Sequence, residues 1–100
     1  MNAKFSSNTF NVNYIQSKLS DKYTCELNNS GNRIHISNRD KKLFSMIITG
    51  HLVAFIKPNY PGFRFFSKEQ AQEEHRGNQI AEIEIKSVDE GIKIINEILK

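Results

Sequence analysis

From Ser87 onward the apolar positions Val88, Ile92, Ile95 and Leu99 recur at helical spacing, and Ile94 and Ile98 widen the stripe. Ser87 supplies an N-cap, and Glu90 three residues on completes a capping box. Asp89 and Glu90 fall at the positive end of the helix dipole and Lys100 at its negative end. This predicts an amphipathic helix lying on a sheet. Gly91 costs about 1 kcal/mol of helix propensity and permits close packing. Just upstream, "QIAEIEIKS" alternates, with Ala81, Ile83 and Ile85 on one side and Glu82, Glu84 and Lys86 on the other. That is the pattern of a half-buried strand.

Two hairpins are predicted in the middle of the chain. In "YTCELNNSGNRIHIS" a two-residue turn at Ser30-Gly31 pairs Leu27 with Ile34 and Cys25 with Ile36, while Glu26 meets His35 on the opposite face. A slip of one residue would spoil that agreement. In "LFSMIITGHLVAFIK" a turn at Gly50-His51 pairs Ile48 with Val53 and Met46 with Phe55, which turns Phe55 inward. Ile47 opposite Ala54 adds apolar groups on the second face, so these strands are expected to be central. "NRDKK" is the polar turn between the hairpins.

The first twenty residues carry both periods. "FNVNY" alternates like a strand, yet Val12, Ile15 and Leu19 repeat like a helix behind Asn11 as N-cap, and a helix over about 12–20 is predicted. "SKEQAQEEH" reads either as a short helix capped by Ser67 and ended by Gly77, or as a polar loop, since it has almost no apolar face. The fold class is therefore α+β. An antiparallel sheet, a four-strand meander plus a later strand, packs against N- and C-terminal helices, and residues 1–100 form one compact domain.

Composition adds exclusions. One hundred residues suffice for a core without metal or disulfide staples. No apolar run approaches the length of a membrane span, and "MNAKFSSNTF" lacks the apolar centre of a secretory signal. The one cysteine, Cys25, cannot form an internal disulfide, which fits a reducing, cytoplasmic setting. Abundant Ile, Asn and Lys, with AT-rich codons, fit an AT-rich bacterial, phage or plasmid genome. The net charge of +3 conceals an asymmetry: ten Lys and Arg against three Asp and Glu through Lys68, then four against eight. Such polarity can orient a molecule on a charged partner.

Candidate chemistry is sparse. The hairpin register points Cys25 inward beside Ile36 with no basic neighbour, as for a buried structural thiol. His35, His51 and His75 lack metal-ligand spacing, and the Glu73–His75 run reads as a solvated segment, so no metal is expected. Glu26 and His35 read as a surface cross-strand pair. No nucleophile or glycine-rich phosphate loop accompanies them, so neither a cofactor nor a catalytic residue is assigned, and the chain leans away from being an enzyme.

The stretch "FIKPNYPGFRFF" holds five of the ten aromatics. Pro58 and Pro61 make its centre a turn or an exposed edge. Beyond it Phe63 and Phe65 share one side of an extended segment, and Arg64 and Phe66 the other. These residues can form an exposed patch, or Phe66 can lie buried under the polar segment or a helix. The expected function is a small non-enzymatic protein-binding module of the inhibitor, immunity or phage-antagonist type. Tyr60, Phe63 and Phe66 would be its apolar anchors, with Lys57, Asn59 and Arg64 completing the surface. The alternative is a nucleic-acid-binding protein or ribonuclease-type toxin with Arg33, Arg39, Lys41 and Lys42 as phosphate contacts and Tyr60 as a stacking platform. A homodimer is compatible with either.

Overall fold

The computed structural model describes residues 4–100; the first three positions of the N-terminal stretch considered above lie outside the described residues. The chain runs α1 (Val12–Ser17), β1 (Thr24–Leu27), β2 (Arg33–Asn38), β3 (Lys41–Ile47), β4 (His51–Ala54), β5 (Arg64–Phe65), α2 (Lys68–Glu73), β6 (Ala81–Glu84) and α3 (Val88–Ile98). One antiparallel sheet has the order β1-β2-β3-β4-β6-β5, so the four-strand meander is followed by β6 on its flank and a short β5 outside it. No helix among the described residues is long and apolar enough to cross a membrane.

Local signals account for the helix ends. The Asn11 Oδ1 accepts from the N–H groups of Asn13 and Tyr14, at 2.9 and 3.1 Å, satisfying donors that a first turn leaves orphaned. α1 closes at Lys18, earlier than the periodicity predicts. Leu19 is buried beyond its end, and Gln16 turns its amide toward β1, donating to the Tyr23 carbonyl and accepting from the Cys25 N–H. That side chain shields an otherwise open sheet edge. In α3 the Ser87 Oγ accepts from the Glu90 N–H at 3.0 Å, and the Glu90 carboxylate reaches back to the Lys86 N–H at 2.8 Å.

The first hairpin has the predicted register: Leu27 faces Ile34, Cys25 faces Ile36 and Glu26 faces His35. Its loop is wider than two residues, because the last bonded pair is Asn28 with Arg33, and the Asn28 Oδ1 binds the Asn32 and Arg33 N–H groups. The second hairpin departs from the prediction. Met46 faces Leu52 rather than Phe55, and Ser45 faces Val53. The reason is the turn. Gly50, at φ 105°, closes a three-residue loop, with its N–H bonded to the Ile47 carbonyl, instead of opening a two-residue one. An odd displacement of register exchanges the two faces of a strand, so Val53 and Phe55 leave the helix side and Leu52 and Ala54 take it. β3 and β4 are central, as expected.

The core lies between the helices and one face of the sheet. Ile34, Ile36, Phe44, Met46, Leu52, Ala54 and Ala81 present that face and are fully buried, under Ile15 of α1 and Val88, Ile92 and Ile95 of α3. Each such aliphatic or aromatic side chain contributes roughly 1.5–3 kcal/mol of gross stabilisation. Gly91 is where the helix meets the sheet: a Cβ there would sit 2.6 Å from the Met46 Cε and 2.9 Å from the Ile85 Cδ1. The two helices are tied by the Tyr14 hydroxyl, which donates to Asp89 at 2.6 Å, and by the Asn96 amide on the Lys18 carbonyl.

Candidate functional site

The alternation that buries one row of side chains turns a second row to the other face. Glu26, His35, Ser45, Val53, Glu82 and Arg64 lie side by side across all six strands. This outer face is not simply a solvated surface. Ser45 and Val53 in its middle are fully buried, and Val53 and Ala71 are buried outside the main core.

The return from α2 to β6 crosses this face and delivers Arg76. The polar stretch forms the helix, capped as predicted by the Ser67 Oγ on the Gln70 N–H at 3.1 Å. It ends at Glu73, with Glu74 as C-cap, before the glycine at 77 expected to stop it. The His75 N–H bonds the Gln72 carbonyl and the Arg76 N–H bonds the Ala71 carbonyl, the paired bonds of a Schellman motif. His75 occupies its left-handed position, φ 54°, where glycine is usual. Arg76 then projects over the sheet. Its guanidinium lies 4.2 Å from the Phe66 ring centroid, 3.1 Å from a Glu74 oxygen and 3.6 Å from a Glu82 oxygen. Its Nε is buried without a hydrogen-bond partner. A planar cation held against a ring and between two carboxylates is preorganised.

Beside Arg76 the outer face sinks into a hollow of about 620 Å³, lined by Arg33, Asp40, Lys41, Lys42, Phe55, His75 and Arg76. The size is that of a small-ligand pocket. Among the described residues Arg33, Lys41 and Lys42 have no ion-pair partner. The Arg33 guanidinium is half-buried and held below its ordinary range by burial, with Glu82 opposing and the like charge of Arg76 adding to the shift. The Lys42 ammonium stands 5.3 Å from the centre of the Phe55 ring. The hollow thus carries an excess of cations on a partly desolvated floor, an arrangement that attracts an anion.

Of the residues predicted to bind a phosphate backbone, Arg33, Lys41 and Lys42 converge here, whereas Arg39, left-handed at φ 57° on the turn before β3, does not line the hollow. The predicted aromatic anchors are distributed differently. Phe63 is 9% exposed and Tyr60 packs on it edge-to-face, with centroids 6.4 Å apart, so both belong largely to the core side and Phe63 offers no surface anchor. Phe66 is half-buried between Arg64, at 5.0 Å, and Arg76. Lys57, Asn59 and Arg64 are exposed. Phe65, expected to share a side with Phe63, is instead 51% exposed on the β5 edge. Sequence reasoning missed Arg76, Phe55 and His75. Phe55 was recoverable from alternation with Val53 once Gly50 is read as the last turn residue. Arg76 had no local signal.

The other candidate groups are quiet. His35 bonds Ser45 rather than pairing with Glu26 alone: its Nδ1 lies 2.7 Å from the Ser45 Oγ. The row Glu26–His35–Ser45 resembles a relay, but the fully buried hydroxyl gives a substrate no approach. The Cys25 thiol is half-buried, and burial pushes it up to about 11, far from a reactive thiolate. No group of three or more His, Cys, Asp or Glu among the described residues could hold a metal ion. Comparison of the chain with protein-family models, curated proteins and solved structures finds no match.

Proposed function

We propose that the chain is a nucleic-acid-binding protein that grips a phosphate backbone on the outer face of its sheet. The observation that carries this reading is the convergence of Arg33, Lys41, Lys42 and Arg76, three of them without ion-pair partners among the described residues, around one hollow that also holds Asp40 and an aromatic ring. Exposed lysines scattered in turns would need no ligand. A half-buried arginine with no ion-pair partner among the described residues is different, because its desolvation is a cost that a bound anion offsets. Of the acidic residues in the last third, Asp89, Glu90 and Glu97 belong to α3, on the far side of the sheet, while Glu74 and Glu82 on the near side are engaged by Arg76.

The test is fluorescence polarisation of labelled single-stranded and duplex oligonucleotides at low and physiological salt. Binding in the range of roughly 1–100 µM at physiological salt, falling steeply as salt rises, is expected from a few phosphate contacts. Arg33→Gln and Lys42→Gln should each weaken binding and flatten the salt slope by about 0.7. No binding at low salt overturns the reading.

A second reading, the protein-binding module of inhibitor, immunity or antagonist type, is supported by one observation: Phe65 is half exposed beside Arg64 on the edge strand β5. An apolar group next to a cation on an open edge suits a protein contact. It requires a partner whose retention is lost in both Phe65→Ser and Arg64→Glu and kept in Arg33→Gln.

A further inference from the structure

We propose that Phe55 is a base-stacking platform, so that the unit held in the hollow is an unpaired nucleotide and the chain selects single strands over duplex. This rests on the nucleic-acid reading and adds a chemistry to it. The other partly covered rings are already engaged. Phe66 has a guanidinium at 4.2 Å and another at 5.0 Å, and Tyr60 is packed on Phe63. Phe65 is exposed but stands on the β5 edge, outside the hollow. Phe55 is the one Phe or Tyr that walls the cationic hollow among the described residues. It does not pack with the main apolar core, and the group over its face is the ammonium of Lys42, an exposed and flexible side chain.

A lysine over a ring is easily exchanged. The ammonium is strongly hydrated and gains more from a phosphate than from a ring face. A nucleobase, in turn, gains from a face that water covers poorly. When a strand enters, Lys42 moves from the ring to a phosphate and the base takes its place on Phe55. Arg33 faces a second phosphate, whose charge offsets the desolvation of its guanidinium, and Arg76 lines the same hollow beside it. In a duplex the bases are already stacked on both faces and cannot reach the ring, so only the backbone contacts remain.

The experiment compares four labelled strands of equal length: oligo-dT, oligo-rU, an abasic deoxyribose-phosphate strand, and a duplex. Each is titrated with the wild type, Phe55→Ala, Phe55→Leu, Phe55→Trp and Arg33→Gln, with circular dichroism confirming the fold. The expected result is that both base-bearing single strands bind about tenfold or more tighter than the abasic strand and the duplex. Phe55→Ala and Phe55→Leu should lose that preference while keeping the salt slope. Phe55→Trp should keep the preference, with its indole fluorescence quenched by oligo-dT or oligo-rU and unchanged by the abasic strand. Arg33→Gln should lower affinity for all four strands. A difference between oligo-rU and oligo-dT would assign the ligand to RNA or DNA, and equal affinity would assign it to any unpaired strand; both outcomes support stacking. If the abasic strand binds as well as the others, and Phe55→Leu binds like the wild type while Arg33→Gln does not, stacking is overturned and phosphate binding stands. Absence of binding to every strand overturns both.

Discussion

The two faces of this sheet are built from the same alternation and reach opposite ends. On the inner face Ile34, Ile36, Phe44, Met46, Leu52, Ala54 and Ala81 are apolar and fully buried, and two amphipathic helices cover them. On the outer face the alternate positions run Glu26, His35, Ser45, Val53, Glu82 and Arg64, and no apolar helix face covers them. What lies over them is an arginine stacked on a phenylalanine and a hollow lined by cations. Burial on the inner side is stabilised by apolar transfer. On the outer side it places cations where solvation is poor and partners are few. A sheet face can thus be partly buried without being part of the stabilising core, and a cation half-buried there carries a desolvation cost that no apolar contact offsets.

The largest expected effect tests the inner face. Phe44→Ala should lower unfolding free energy by about 3–5 kcal/mol, as for other buried aromatic truncations, read by urea denaturation. An effect under 1 kcal/mol would mean that the inner face is not the core. Next is the left-handed residue that delivers Arg76. His75→Gly removes the strain of a Cβ at φ 54° and should raise stability by about 0.5–1 kcal/mol, measured in the same way. Smaller still is Arg33→Met. Replacing a half-buried unpaired cation by an apolar chain should leave stability unchanged or raise it by about 0.5 kcal/mol, after allowing for solvent screening, while oligonucleotide affinity falls. If Arg33→Met destabilises as Phe44→Ala does, the two faces are not distinct in kind.

The smallest effect is in pH. His35 is held below its ordinary 6.5, first by burial and then by Lys42 and Arg33, with Glu26 opposing. The unfolded chain therefore takes up this proton before the folded one. The contribution of neutral His35 is complete above about pH 6.5 and is lost as the pH falls through the depressed folded value. Urea midpoints measured from pH 8 to 5 should decline in the wild type and decline less in His35→Gln. Equal slopes would show that His35 is not desolvated.

Much of this was legible in residues that act on near neighbours. Asn11, Ser67 and Ser87 cap helices because a short side-chain oxygen needs only the next turn. The first hairpin aligned because its two strands carry matching alternation on either side of Ser30-Gly31. The second hairpin did not, because "TGH" satisfies a two-residue and a three-residue turn equally well, and both flanking strands are apolar on adjacent positions, so neither face is marked. Everything at the candidate site inherits that ambiguity. Phe55 belongs to the hollow only once Gly50 closes the longer loop.

Caps, periods and charge are local quantities, so the sequence by itself determined the terminal helices, the meander strands and β6, the α+β class and the cation-rich first two thirds. It leaves α2 open between helix and loop and marks β5 only as an extended segment. Only the tertiary structure decided which cations share a site. Arg33, Lys42 and Arg76 come from two adjacent strands and a return loop far along the chain. Their meeting depends on β6 joining β4, on the register of β3 with β4, and on a helix that ends at Glu73, with the left-handed turn at His75 rather than Gly77. Each of these is settled by packing between segments distant in sequence, where no neighbouring residue carries the signal.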